Sequence, residues 1–261
     1  MLKRELAPIT EEAWKEIGER AKEVLKSYLS ARRVVSVEGP RGWDYTAITE
    51  GRLEKIEDDN DVKFGTYSVL PLTEARVEFE MDRWELDNIM RGAKDIDYGP
   101  LEEAVKEMAL FEENAIYNGL EKAQIKGILE EANGETLKLG KDNNSVLKAI
   151  AEGIIRLKEA FAEGPYDLIV GKDVYEVIKS ENPGYPLDKR IKNLIGGDII
   201  LSHVIDGAIL LPHDHEDLEF TIGQDFSIGY QSSDNKKVRF FITESFTFRV
   251  LDPDIIVKFQ L

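Results

Sequence analysis

Thr46–Thr73 reads TAITEGRLEKIEDDNDVKFGTYSVLPLT, and the organisation of the 261-residue chain turns on this stretch. Asp58-Asp59-Asn60-Asp61 makes a turn at its middle. Ile48, Leu53 and Ile56 lie on one arm, and Val62, Phe64, Tyr67 and Val69 on the other. Apolar residues spread between polar ones on both sides of a turn predict a long β-hairpin. The alternation changes phase at Gly65, which predicts a bulge there. Two strands alone are marginal in water. The apolar residues therefore need something to lie on, either the body of the chain or a neighbouring subunit.

Outward from the hairpin the pattern is mixed. Thr10 is placed to cap a helix whose first turn carries Glu11 and Glu12, where the helix dipole favours acids. Trp14, Ile17, Ala21, Val24, Leu25, Tyr28 and Leu29 follow at helical spacing for about five turns. N3 is Ala13, so the full capping box is missing. Val34–Val37 predicts a strand, followed by a turn at Gly39-Pro40-Arg41-Gly42. After the hairpin come a helix over Trp84–Met90 and a longer one with Pro100 at N1, carrying Leu101, Ala104, Val105, Met108, Phe111, Ala115 and Ile116. From about 130 to 220, helices (Val146–Phe161, Val174–Lys179, Leu187–Leu194) alternate with buried strands (Leu168–Val170, Ile199–Leu201, Ala208–Leu211). Strand patterns return at Phe240–Ile242, Phe246–Val250 and Ile255–Phe259. No internal repeat or low-complexity linker is present. The reading is α+β, a discontinuous domain around an inserted one.

Composition narrows the function. Hydrophobic residues at 42% and charged residues at 33% describe a globular chain. No apolar run reaches membrane-spanning length, and Met1–Pro8 lacks the apolar core of a secretory signal. The absence of cysteine excludes disulfides, thiolate catalysis and cysteine-held metal, and suits a cytoplasmic protein. The net charge of −17 makes nucleic acid a poor partner. Residues 1–41 stand apart, with nine Lys/Arg against seven Glu. That end reads either as a solvated helix or as a surface for an acidic partner.

Catalytic and metal motifs are missing. His213-Asp214-His215 reads as a solvated acidic turn with Glu216 and Asp217 rather than a metal site. Gly134–Gly140 with Lys141 has one residue too many for a phosphate loop, and Asp142 replaces the Ser/Thr that would hold magnesium. No nucleophile elbow, zinc-protease or dinucleotide motif occurs. Asp225 with Glu244 could form an acid–base pair, but among 51 acidic residues chance pairing is the default.

Six segments together resemble the encapsulin, or linocin-like, shell-protein family. They are Leu6–Thr10 with Trp14; Val37–Pro40 with Gly42-Trp43; Trp84–Asn88; Glu163–Tyr166; Gly184–Leu187; and Gly223–Tyr230 with Thr243–Phe248. They run in the family's order over essentially the whole chain. The resemblance implies the Hong Kong 97-type phage capsid fold. Its peripheral domain would comprise 1–45, 74–129 and 221–261, its elongated loop 46–73, and its axial domain 130–220. It implies a structural protein, not an enzyme, that assembles with itself in sixty or more copies. The closed shell would enclose a ferritin-like iron-storage protein or a peroxidase, recruited by a C-terminal targeting peptide. The rival readings are a prophage capsid that packages DNA and a soluble hydrolase.

The resemblance also implies sites. Arg32, Ser36 and Ile228 fall where the family binds the cargo peptide; Ser36 stands where relatives often carry an acid, leaving the local basic excess unopposed. Ser180, Glu181, Asn182, Pro183, Gly184 and Tyr185 match the loop around the five-fold pore, where Glu181 would favour cations. Gly184 stands where some relatives have histidine. Trp84, with Arg76 upstream, aligns with a position where some members stack a flavin. The packing alternative for Trp84 is a helix-opening aromatic held in the core, and that for Arg32 and Arg33 is a helix C-terminal pair. No metal and no required cofactor are implied.

Overall fold

A computed structural model describes residues 1–180 and 185–261. Its elements in chain order are α1 (Glu11–Tyr28), β1 (Val35–Glu38), β2 (Ala47–Asp59), β3 (Val62–Pro71), β4 (Thr73–Asp82), α2 (Arg83–Met90), α3 (Gly99–Asn118), α4 (Ile128–Glu131), β5 (Leu137–Lys138) and α5 (Asn143–Glu159). Then follow β6 (Tyr166–Val170), α6 (Lys172–Lys179), α7 (Leu187–Ile195), β7 (Gly196–Leu201), β8 (Ala208–Pro212), β9 (His215–Ile222), β10 (Ser227–Ser233), β11 (Lys237–Val250) and β12 (Val257–Gln260). Thr10 does cap α1, its side chain accepting from the Ala13 amide at 3.2 Å. Pro100 opens α3, where its missing N–H costs nothing.

Two five-stranded sheets form the body. The first has β9 between β1 and β11, with both β10 and β4 antiparallel to β11. The second runs β5-β12-β8-β6-β7. One apolar cluster gathers around the second sheet and α5. The other lies between α1, the first half of α3, β4 and β11. Helix α3 supplies Leu101–Ala104–Val105–Met108 to one and Ala115–Ile116–Tyr117 to the other. At about 1.5 Å per residue, its 20 residues form a spine of about 30 Å joining the two cores.

Several local expectations need correction. Thr73–Asp82, left without an element by the sequence reading, is a full strand along β11 from Lys237↔Asp82 to Phe246↔Thr73. Ala75, Val77, Phe79 and Met81 alternate along it with Glu74, Arg76, Glu78 and Glu80, the pattern of a strand with one face turned inward. His213 and Asp214 form a turn, but His215 begins β9, and Glu216 and Asp217 belong to that strand. Strand β9 (His215–Ile222) begins within residues 130–220 in sequence but lies in the first sheet in space; β12 lies within 221–261 but pairs with β8 and β5 in the second.

The hairpin is β2–β3, joined through Asn60-Asp61. Its irregularities fall on β2, between Thr49 and Leu53 and between Glu54 and Glu57. The phase change at Gly65 is thus the partner's view of a bulge on the opposite strand. Gly51 occupies the first irregularity with φ +69°, a left-handed conformation that costs glycine little.

Candidate assembly arm and binding groove

The hairpin leaves the body after its first residue pairs. Ile48 and Leu70 are buried at its base. Beyond them Leu53, Ile56, Val62, Phe64, Tyr67 and Val69 are all at least half exposed. Burying a large apolar side chain is worth about 1.5–3 kcal/mol. Six such residues on one projecting arm form a surface the subunit leaves uncovered.

A groove of about 280 Å³ opens on the first sheet between α1 and β10. Its apolar lining comes from Ala21, Leu25 and Leu29 of α1 and its C-cap, Val105 of α3, Phe226, Ile228 and Ile242. Arg4, Lys22, Arg32 and Asp225 add charge. Arg4 sits in a short helical turn over Arg4–Leu6, donates through Nε to the Ile228 carbonyl at 2.7 Å and lies over the Trp14 ring.

Arg32 is the middle residue of the short 3-10 turn Ala31–Arg33 and points inward. Its guanidinium forks onto Glu112 (Nε–Oε1 2.8 Å, Nη2–Oε2 2.5 Å), donates through Nη1 to Asp225 (2.8 Å) and reaches Glu244 at 3.3 Å. It also lies over the Phe226 and Phe220 rings. Glu112 and Glu244 are fully buried. Burial would lower the Arg32 pKa; the bond to Glu112 and the surrounding carboxylate charges outweigh it and hold the cation. Burial, followed by the Glu112 charge, pushes Glu244 well above the carboxylate range. The residue after Glu112, Glu113, accepts from the amides of Ser30 (2.9 Å) and Ala31 (2.8 Å) and from the Ser30 hydroxyl. Burial nevertheless raises its pKa to about 7.

The structure brings Arg32 and Ile228 to one groove and leaves Ser36 out of it. Ser36 faces Glu219 across the β1–β9 pair and is not among the lining residues. The basic excess expected from the absent acid is instead answered by Glu112, Asp225 and Glu244. Arg32 is thus more than a helix-terminal charge, and Asp225 and Glu244 share its guanidinium rather than standing together by chance. Glu112 was not singled out in the sequence, although a signal was there: it lies four residues after Met108 and three before Ala115, on the buried stripe of α3.

Trp84 and Arg76 are not brought together. Arg76 lies mid-strand, stacked on Phe241 at 4.3 Å and bonded to Glu74. Trp84 opens α2 beyond the end of that strand, exposed, with Arg91 over its ring. The six steps from Arg76 to Asp82 put about 20 Å of strand between the two positions. Of the pore loop, Glu181–Gly184 fall outside the described residues; Ser180 ends α6, its hydroxyl donating to the Val177 carbonyl, and Tyr185 is exposed. His213 is not merely solvated: its Nδ1 lies 2.5 Å from the buried Asp167 carboxylate, which raises its pKa. Among the described residues, no cluster of acids and histidines is arranged to hold a metal, and no helix is long and apolar enough to cross a membrane.

Two sheets joined by a spine helix, with a hairpin arm flung from one of them, are the features by which this fold compares with known structures. The fold is shared with a virus-like particle from Pyrococcus furiosus (TM-score 0.64, 18% identity, 93% of this chain and 97% of that one). The capsid of Myoviridae phage XM1 also shares it (TM-score 0.55, 12% identity, 85% and 88% covered). It is the Hong Kong 97-type capsid fold. A family model described as "Encapsulating protein for peroxidase" matches residues 1–247. Type 1 encapsulin shell proteins of Mycolicibacterium paratuberculosis (38% identity; 95% of this chain, 94% of the relative) and Rhodococcus erythropolis (38%; 98% of each) align along the chain. The chain belongs to the encapsulin shell-protein family. It is a structural protein that forms a capsid-like compartment, and its relatives are shells rather than enzymes.

Proposed function

We propose that sixty or more copies of this chain close into an icosahedral shell in the cytoplasm, holding an enzyme inside by a short C-terminal peptide seated in the Arg4–Arg32–Ile228 groove. The observation that carries the reading is the arm Ala47–Pro71, whose six exposed apolar residues want a cover that another copy can supply. Closed point-group assemblies reuse one such contact at every position, and the icosahedral set contains sixty. In this reading the first sheet with α1 and α3 forms the peripheral domain, the second sheet with α5–α7 the axial domain, and β2–β3 the elongated loop.

An apolar floor between charged rims suits a short peptide carrying aliphatic side chains. The name of the matching family points to a peroxidase as cargo; a ferritin-like iron-storage protein is the other candidate. The shell itself requires no cofactor. The loop at 180–185 is assigned to the five-fold opening by the family resemblance alone.

The test is to purify the chain and image it by negative stain with native mass measurement. Sixty copies of 29.6 kDa give closed particles of about 1.8 MDa; a monomer or dimer at physiological salt overturns the reading. Fluorescent proteins bearing candidate cargo C-termini should co-purify with the particles. Capture equal to that of an untagged fluorescent protein would remove the peptide from the proposal.

A further inference from the structure

Two asparagines of the chain precede glycine, Asn118 before Gly119 and Asn133 before Gly134. Glycine has no side chain to shield its amide, so in either dipeptide the glycine nitrogen can close a five-membered ring onto the asparagine side-chain carbonyl carbon. The structure treats the two dipeptides in opposite ways.

Asn118 is the last residue of α3, and its Nδ2 donates to the Asn114 Oδ1 and to the Val204 carbonyl, each at 3.0 Å. Turning its Cγ onto the Gly119 nitrogen breaks both bonds, which together are worth about a factor of ten. Gly119 is hemmed in as well. A Cβ built on it would lie 2.9 Å from the Gly127 nitrogen and 3.2 Å from the Ile125 carbonyl oxygen. Backbone packed that closely resists flattening into a ring.

Asn133 lies in an exposed stretch between α4 and β5 that belongs to no helix or strand. Among the described residues its side chain has one polar partner, Asp254, with Nδ2 3.4 Å from Oδ1. Among the described residues no acceptor meets the Gly134 N–H. The nearest atom to a Cβ built on Gly134 is the Arg156 Nη1 at 3.9 Å, an ordinary contact. A cavity of about 270 Å³ lined by Gly134, Arg156 and Asp254 opens at the site and admits the water that ring opening consumes. The Asp254 carboxylate stands beside the nitrogen that must leave, where it favours departure as ammonium.

We infer that Asn133-Gly134 is a site of spontaneous chemical modification in the folded protein and that Asn118-Gly119 is protected from it. The Gly134 nitrogen gives its proton to water and bonds to the Asn133 Cγ. The Cγ–Nδ2 bond breaks and ammonia leaves, so the product is a succinimide. Water then adds to either ring carbonyl and opens the ring to aspartate or, with the chain running through the former side chain, to isoaspartate. No oxidant or reductant is needed. Either product carries a second carboxylate close to Asp254, and isoaspartate also lengthens the backbone just ahead of Leu137. Strand β5 has only two residues and edges the second sheet beside β12, so conversion loosens that edge. The inference is independent of the shell reading.

The purified full-length protein is held folded at mildly alkaline pH beside a sample unfolded in guanidinium. Tryptic peptides 127–138 and 107–122, which carry one site each, are followed by the gain of about 1 Da that replacing –NH2 with –OH brings, and by methylation with an isoaspartyl methyltransferase. The unfolded chain should convert both sites at similar rates, which sets the time scale. In the folded protein Asn133 should convert at least about tenfold faster than Asn118, and Gly134→Ala should slow it several-fold. Equal rates at the two sites of the folded protein, or no conversion of Asn133 over the time in which the unfolded chain converts, overturns the inference. The Leu139 N–H donates to the Gln260 carbonyl at 2.7 Å, and Asn133→Asp should speed hydrogen exchange over residues 137–139. Unchanged exchange there overturns the loosening of β5.

Discussion

The arm Ala47–Pro71 leaves six large apolar residues uncovered, whereas around Arg32 the subunit answers a buried cation with three carboxylates of its own. The first region is incomplete without another molecule. The second is answered within the subunit, with only the buried Glu244 Oε1 left without a hydrogen-bond partner, though it touches the groove where a ligand would lie. The difference separates two kinds of residue on one surface: those whose loss removes a partner and those whose loss unsettles the fold. It also changes what a charge reversal at Arg32 would report. Arg32→Glu would put a fourth acid among Glu112, Asp225 and Glu244, so any loss of cargo would carry a loss of stability with it.

The sharpest way to break this contrast is to remove the arm. Deleting residues 50–68 should abolish closed particles while circular dichroism still shows a folded subunit, because the deleted surface has no buried role at home; particles of normal size would show that the arm is dispensable. Next in size is Arg32→Met. Removing one partner of a buried ion pair costs about 3–5 kcal/mol, so the urea midpoint should fall well below that of the unaltered protein. An unchanged midpoint would mean that the buried carboxylates need no cation.

The pH dependence follows from the same acids. Glu113 and Glu244 hold their protons more tightly folded than unfolded. Their stabilising contribution is full below the ordinary carboxylate pKa and is lost as pH rises, for Glu113 through about 7. Unfolding measured between about pH 5 and 8 should show stability declining by on the order of 3 kcal/mol, with the decline reduced in Glu113→Gln. A stability that rises over that range would contradict the burial argument.

Two smaller effects sharpen the groove side. Lys22→Glu reverses an exposed charge on the groove rim and should cut cargo co-purification several-fold with particle yield retained; equal cargo yield would move the peptide elsewhere. Thr10→Ala should cost about 1 kcal/mol through the lost cap of α1, read as a small shift in the unfolding midpoint and no change in particle shape.

How much of this was legible in the chain depends on the range of the forces involved. The cap at Thr10, the proline at the start of α3, the hairpin with its turn at Asn60 and the buried strands of the second sheet follow from nearest-neighbour chemistry and periodicity. The six family segments carried the fold. Strand β4 was legible as Ala75, Val77, Phe79 and Met81 alternating with Glu and Arg; what was hidden is its partner, because β11 lies about 160 residues further along the chain. The exchange of β9 and β12 between the two sheets was hidden for the same reason.

Sequence alone thus determined that an arm projects with apolar residues along it, that the chain is acidic and cysteine-free, and that its motifs belong to a shell family. Only the tertiary structure decided the register of the arm, since it depends on bulges that shift the pairing. It also decided that Arg32, Glu112, Asp225 and Glu244, scattered across 213 positions from 32 to 244, meet around one guanidinium. Charge pairing at that separation is set by packing, and packing is not local in the chain.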